Sequence, residues 1–202
     1  MQSITYPVGD SLYLNITNRC TNECDFCIRG KARKFNQKYE LWLTSEPTPE
    51  EVIKAVGDPK KYKEIVFCGY GEPLIRLEAI KAIAKELKKH HAKVRIDTNG
   101  QANLFFGKNI LPQLKGLVDK MSVSLNAENS KVYDTICHSF YGLKAFDAVI
   151  AFAKEAKKQI PEVEITVVDL PEIVDIEKAR AIAQELKLAF RVRPYYEETY
   201  VR

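Results

Sequence analysis

The run Leu12-Tyr13-Leu14-Asn15-Ile16-Thr17-Asn18-Arg19-Cys20-Thr21-Asn22-Glu23-Cys24-Asp25-Phe26-Cys27 leads from a strand-like stretch into three closely spaced cysteines. Three thiolates in the spacing C-x3-C-x2-C can grip a 4Fe–4S cube, but such a cube has four irons and normally takes four protein ligands. The local set is one short. A metal centre with an open position is a place for chemistry rather than a structural clip. Zinc is the chief rival, and a zinc site needs a fourth ligand. His90 and His91 read as the solvated end of a Lys-rich helix, whereas Cys137 and His138, after the fourth strand, are within conceivable reach. Unligated thiols are the third reading.

Outward from this run, short β-branched or aromatic stretches alternate with amphipathic ones. Strands are predicted at Leu12–Ile16, Glu64–Cys68, Lys93–Thr98, Lys120–Leu125, Val163–Val168 and Phe190–Arg193, and helices at Pro49–Val56, Leu77–His90, Asn109–Leu117, Leu143–Gln159 and Ile176–Leu188. Thr48-Pro49-Glu50-Glu51 has the form of a helix start, and Asp175 is placed to cap the last helix. Such alternation indicates a parallel sheet with right-handed crossovers. Six strands are too few for a closed eight-fold barrel of about 250 residues. The expected fold is α/β: a partial, open, parallel (β/α)6 barrel, a single domain over residues 1–202. A cluster loop is expected at about 18–30 and a polar, Lys-rich covering loop with Trp42 at about 28–47.

The chain has 202 residues, 46% hydrophobic and 29% charged, with a formal net charge of +4. So small an excess, spread along helices, reads as solvated surface and gives no indication of nucleic acid binding. No stretch is long or apolar enough to span a bilayer. Five cysteines, an odd number without a preceding apolar signal segment, point to a reducing cytoplasm.

In parallel α/β folds, sites lie at the carboxyl ends of strands. Gly69-Tyr70-Gly71-Glu72-Pro73 follows the second strand, Asp97-Thr98-Asn99-Gly100 ends the third, and Ser124-Leu125-Asn126 ends the fourth. Glycine there permits close backbone approach to a ligand, and Pro73 restrains Glu72 towards an extended geometry that suits a carboxylate facing an ammonium. The alternative is a tight turn with a solvated acid. Ser122, Ser124 and Asn126 alternate on one face; an inward polar face needs partners, from a ligand, helices or water. Phe26, beside Cys27, can wall off solvent or offer its backbone to a planar base. Arg191, Arg193 and Tyr195 alternate near the end of the sixth strand and can clamp an anionic substrate, or else stand solvated near the terminus.

With these motifs in order, the chain resembles the radical S-adenosylmethionine (radical SAM) superfamily, whose C-x3-C-x-aromatic-C signature is met by Cys20, Cys24, Phe26 and Cys27. Its glycine-glycine-glutamate-proline motif is met in the variant form Tyr70-Gly71-Glu72-Pro73. In finer detail the chain looks like small radical SAM proteins associated with TatD-type hydrolases. That likeness rests on Ile16-Thr17-Asn18-Arg19-Cys20, Leu41-Trp42-Leu43, Phe67-Cys68-Gly69-Tyr70-Gly71-Glu72-Pro73 and Ser122-Val123-Ser124-Leu125-Asn126-Ala127.

By this resemblance Cys20, Cys24 and Cys27 hold three irons of a 4Fe–4S cluster, and S-adenosylmethionine chelates the fourth. Glu72 and its backbone neighbour Gly71 would meet the methionine ammonium, with Thr98 and Asn99 flanking the cofactor. Ser124 and Asn126 would lie near its ribose or carboxylate. Val167, Val168 and the Phe26 backbone would contact adenine. The implied activity is reductive cleavage of S-adenosylmethionine to a 5′-deoxyadenosyl radical that abstracts hydrogen from an unidentified substrate. The electron would come from a flavodoxin- or ferredoxin-like donor, and a TatD-type hydrolase is an implied associate. Alternatives are a glycyl-radical-type activase, a deazapurine-type synthase, or a non-catalytic zinc or iron–sulfur protein. Activases carry an acid and a lysine where this chain has Ser124 and Asn126, and Cys68 and Cys137 are too few for an all-cysteine second cluster.

Overall fold

The computed structural model describes residues 2–31 and 34–195. The chain opens with an antiparallel pair, β1 (Thr5–Val8) and β2 (Ser11–Asn15). After the cysteine loop come a one-turn helix α1 (Ile28–Lys31) and a small hairpin, β3 (Lys34–Phe35) with β4 (Tyr39–Glu40). Then follow α2 (Pro49–Val56), β5 (Glu64–Cys68), α3 (Leu77–Lys89), β6 (Val94–Thr98), α4 (Ala102–Phe106), β7 (Lys120–Ser124), α5 (Ser130–Cys137), α6 (Lys144–Gln159), β8 (Glu162–Val168), α7 (Ile176–Glu185) and β9 (Ala189–Arg193). The main sheet has seven strands in the order β1-β2-β5-β6-β7-β8-β9. Every pairing from β2 onward is parallel. All six expected strands are present, each starting within a residue of its predicted position, and β1 adds an antiparallel edge. The sheet is thus mixed and mostly parallel, in an α/β domain.

Local chemistry sets the helix ends. Thr48 accepts from the Glu51 N–H at 3.2 Å while the Glu51 carboxylate accepts from the Thr48 N–H at 2.8 Å, a reciprocal cap on α2. Asp175 caps α7 by accepting from the Lys178 N–H at 3.0 Å. The helix expected over 109–117 is instead a single 3-10 turn, Leu111–Leu114, with Pro112 in its first turn and Gly116 in a left-handed conformation at φ +76°. Proline cannot donate within a longer helix, and the glycine ends it. α5 was not anticipated; Asn129 caps it by accepting from the N–H groups of Lys131 and Val132.

Strand alternation divides the sheet into two chemically different faces. Leu12, Leu14, Ile65, Phe67, Val94, Ile96, Met121, Val123, Ile165 and Val167 belong to the main apolar core, together with buried positions of α3, α6 and α7. The other face carries Tyr13, Arg95, Asp97, Ser122, Ser124, Glu164, Thr166, Arg191 and Arg193. Much of it satisfies itself. Arg95 donates to the Tyr13 hydroxyl at 2.7 Å and lies 3.5 Å from Glu64 and 3.4 Å from Asp97. Glu164 accepts from Ser122 at 2.7 Å and pairs with Lys120 at 3.0 Å and Arg191 at 2.8 Å. Ser122 therefore finds its partner inside the protein.

Burial alone would raise the Glu164 pKa, but bonds from Arg191, Ser122 and Lys120 outweigh it and hold the carboxyl at about 2, below its ordinary 4.5. A depressed pKa contributes stability above the unfolded value, and that contribution is lost as pH falls from about 4.5 towards 2. Glu164→Gln should destabilise the protein at pH 7 by about 2 kcal/mol, a figure reduced because Arg191 reaches solvent. The substitution should also flatten the acid limb of a melting-temperature profile. An unchanged acid limb would show that Glu164 is not held in this way.

Candidate functional site

β2 ends at Asn15, and the cysteine loop that follows is anchored from every side. The guanidinium of Arg76 donates to Ile16 O at 2.9 Å. Asn18 and Leu43 exchange two bonds, side-chain N–H to Leu43 O at 2.7 Å and Leu43 N–H to Asn18 Oδ1 at 3.0 Å. Arg29 reaches back to donate to Asn18 O and Asn22 O at 2.9 and 3.1 Å. From below, the C-terminal carbonyls of α5, which lack partners within the helix, accept from the loop: Glu23 N–H to Cys137 O and Asp25 N–H to Ile136 O, both at 3.0 Å. Asn22 sits in a buried polar cluster, donating to the Tyr133 hydroxyl at 3.1 Å and accepting from Gln101 at 2.8 Å.

The glycine-glutamate-proline turn docks against this loop. A Cβ on Gly71 would stand 2.5 Å from both Thr17 O and Arg19 O. Only glycine allows that approach, and it lets the Glu72 N–H donate to Arg19 O at 2.8 Å. Gly69, at φ +93°, packs as closely on Asn15. The Glu72 carboxylate, 4% exposed, accepts from Leu74 N–H at 3.0 Å, Thr98 Oγ at 2.8 Å and Asn99 N–H at 2.6 Å. Burial pushes its pKa up to about 7 against the pull of these bonds. The Asn99 side chain then donates to Thr21 Oγ at 2.8 Å, closing the circuit to the cysteine loop. The acid is buried rather than solvated. It ties its own turn to the end of β6 and, through Asn99, to the cysteine loop, while still lining the cavity.

These loops surround one cavity of about 500 Å³. Cys20, Cys24, Phe26, Cys27, Gly71, Glu72, Thr98, Asn99, Ser124, Asn126, Val168, Arg191, Arg193 and Tyr195 all line it. Val167 does not: strand alternation turns it to the opposite face, into the apolar core, where it is fully buried. Trp42 is 39% exposed and off the cavity. Among the described residues of 28–47, Ile28, Phe35 and Leu41 reach the wall. Arg191 gives both its Nε and Nη2 to Glu164 Oε1, at 3.1 and 2.8 Å, and so is already engaged. Arg193 donates to Ser124 Oγ at 3.3 Å and to Asn126 Oδ1 at 3.0 Å. It thus touches the two residues expected at the cofactor. Sequence reasoning placed Asp97 in a rim cluster without giving it a role, and overlooked Tyr6 and Tyr13 on the wall. Arg95 and Asp97 alternate on β6, and that spacing was the available signal.

Among the described residues no three of the His, Cys, Asp and Glu side chains are gathered closely enough to hold a single metal ion, so the case for an iron–sulfur cluster rests on the chemistry and spacing of the three thiols. All three thiols are free and partly buried on one wall. Burial pushes Cys20 up to about 12, with the Glu72 charge adding to it, and burial likewise raises Cys27. A hydrogen bond with Cys137 and burial raise Cys24. The protein alone therefore disfavours three thiolates, whereas a bound cationic centre deprotonates coordinating thiols outright. Cys137 meets Cys24 from the core side, fully buried and off the cavity. Cys68 lines the cavity, but its charged neighbours are Asp97 and Arg193. His138 pairs with Asp25 at 2.8 Å.

Residues 14–185 match the sequence model of the radical SAM superfamily, and the chain belongs to that superfamily. Among curated relatives, an inferred GTP 3′,8-cyclase of Methanocaldococcus jannaschii is 26% identical over 199 residues, covering 92% of this chain and 62% of that protein. An inferred glycyl-radical enzyme activating enzyme of the same organism is 29% identical over 188 residues, covering 89% of this chain and 66% of its own length. This chain thus spans a little under two thirds of each. Of solved structures, Streptococcus suis SuiB bound to S-adenosylmethionine superposes with a TM-score of 0.64 at 18% identity, over 94% of this chain and 38% of that one. That likeness shows the fold. Members of the superfamily bind a 4Fe–4S cluster and S-adenosylmethionine.

Gly71→Ala should force the Glu72 turn off the cysteine loop. Overpacking of this kind costs about 2 kcal/mol or more, seen as a lowered melting temperature, and iron bound after anaerobic reconstitution should fall with it. Wild-type iron content and stability in the variant would contradict the close approach.

Proposed function

We propose that this chain is a radical SAM enzyme in which Cys20, Cys24 and Cys27 hold a 4Fe–4S cluster at the wall of the cavity. The observation that carries the reading is the set of three free thiols facing the same space as the Gly71-Glu72 turn, Asn99, Ser124 and Asn126. When bound, the cluster and S-adenosylmethionine supply a 5′-deoxyadenosyl radical that takes a hydrogen atom from substrate. The protein's part is orientation, electrostatics and exclusion of water. The backbone at Gly71 offers carbonyl groups to the methionine ammonium. Ser124 and Asn126, oriented by Arg193, serve its carboxylate or ribose, while Val168 and Phe26 flank the base. Ile28, Leu41 and Tyr70 add apolar surface to the wall.

We further read the sheet as an open six-unit barrel within one domain over residues 1–202, with residues 28–47 closing one side. A flavodoxin- or ferredoxin-like donor supplies the electron. A reducing cytoplasm suits exposed low-potential chemistry; no helix among the described residues is long and apolar enough to cross a membrane. The runs around Cys20, Trp42, Glu72 and Ser124 support placement near the TatD-associated subgroup and a functional link with a TatD-type hydrolase.

Anaerobic reconstitution should give a brown protein with about four irons per chain that forms 5′-deoxyadenosine from S-adenosylmethionine on addition of dithionite. Cys24→Ala should lose at least a hundredfold of that activity. A colourless, zinc-loaded protein, or a Cys24→Ala variant with full activity, would refute the assignment.

A further inference from the structure

Among the described residues three buried side-chain atoms have no hydrogen-bond partner: Arg95 Nε, Asp97 Oδ1 and Arg193 Nε. Of these residues Asp97 and Arg193 line the cavity, on the polar face of the sheet that forms its floor, and Arg95 does not. Asp97 comes from β6 and Arg193 from β9, with the two strands β7 and β8 between them. Each lies within the other's electrostatic reach, yet they form no ion pair within 4.0 Å. The nearest cation to Asp97 Oδ1 is the Arg95 Nε at 3.4 Å, without hydrogen-bond geometry. Two residues of opposite charge thus line one space, and each keeps a buried atom short of a bond. Buried polar groups left so are costly unless something completes them.

Charge narrows what that something is. Two guanidinium groups line the cavity, and Glu164 takes two donors of Arg191. Arg193 is the cation left on the floor among the described lining residues, and Asp97, whose nearest cation is Arg95, lies within its electrostatic reach. A polyanion such as a nucleoside triphosphate would meet one guanidinium and one carboxylate there, a poor match. A group carrying opposite charges a bond or two apart meets both. Tyr6 and Tyr13 pack as tilted rings with 5.5 Å between centroids and line the same space, a surface for an apolar or aromatic body.

We propose that the substrate is a free amino acid, its carboxylate received by Arg193, its ammonium by Asp97, and its side chain laid against Tyr6 and Tyr13. This rests on the radical SAM reading, because the floor is the space left once the cofactor occupies the cysteine wall. The two residues are binding groups for substrate. The competing source of a zwitterion is the methionine end of the cofactor itself, so the test saturates the cofactor site first.

The experiment uses reconstituted, cluster-loaded protein with saturating S-adenosylmethionine under anaerobic, unreduced conditions, so that nothing turns over. Binding of each of the twenty L-amino acids is read by calorimetry. At least one should bind, and its two single-charge analogues, lacking the amine or the carboxylate, should bind tenfold or more weakly. GTP should neither bind nor compete. Asp97→Asn should weaken the amino acid at least tenfold and leave the amine-free analogue unchanged. Arg193→Met should do the converse, and melting curves would check that each variant folds. If no amino acid binds, or both analogues bind as well as the parent, or GTP binds instead, the inference fails, and the wild-type probes decide this even if a variant does not fold. Should S-adenosylmethionine bind and be cleaved on later reduction while every amino acid fails, the substrate class is wrong and the enzyme reading stands. If S-adenosylmethionine itself does not bind, both fall together.

Discussion

One buried carboxylate holds the site in register. Glu72 receives hydrogen bonds from its own turn, from Thr98 at the end of β6 and from the Asn99 backbone, and Asn99 passes the connection on to Thr21 beside Cys20. Burying a carboxylate is expensive, and three donors, two of them backbone N–H groups, offset that cost. The gain is geometric: loops from β2, β5 and β6 are fixed relative to one another before any ligand arrives. Preorganised backbone is what an enzyme needs where charge and a reactive group must be positioned without further reorganisation.

The two faces of the sheet divide the remaining work. The apolar face, packed under α3, α6 and α7, supplies the hydrophobic stabilisation of the fold. The polar face is a cavity floor, and its groups are mostly neutralised in place by the Arg95–Glu64–Asp97 and Glu164–Lys120–Arg191 sets. Satisfied networks of this kind are rigid, and the few atoms they leave unpaired stand out against them. Arg193 joins the two regions, since it holds Ser124 and Asn126 while its Nε stays open.

Strand positions and the cysteine loop were legible because they rest on strong, local signals: β-branched runs, C-x3-C-x2-C spacing, and capping residues at Thr48 and Asp175. What escaped was set by distant partners. The reach of the Glu72 carboxylate depends on β6 lying beside β5, a fact of strand order and not of the turn itself. Val167 and Val168 looked equivalent as neighbours, but the pleat sends them to opposite faces. α5 was hidden because its eight residues carry a short, mixed pattern, although Asn129 gave a capping signal. The segment over 109–117 looked helical by periodicity, and Pro112 with Gly116 overruled it. Ser122 appeared to call for a ligand until Glu164, on the adjacent strand, proved to be its partner.

The supports of the cysteine loop are widely separated along the chain. Its backbone leans on Ile136 and Cys137, its Asn22 on Gln101 and Tyr133, and Phe140 donates back to Thr21 O at 3.0 Å. During synthesis the three cysteines emerge early, more than a hundred residues before the helix end that shapes them. Contacts of such long range form late in folding. A cluster that needs the finished loop would therefore enter a chain assembled at least as far as α5, after most of the polypeptide has been translated.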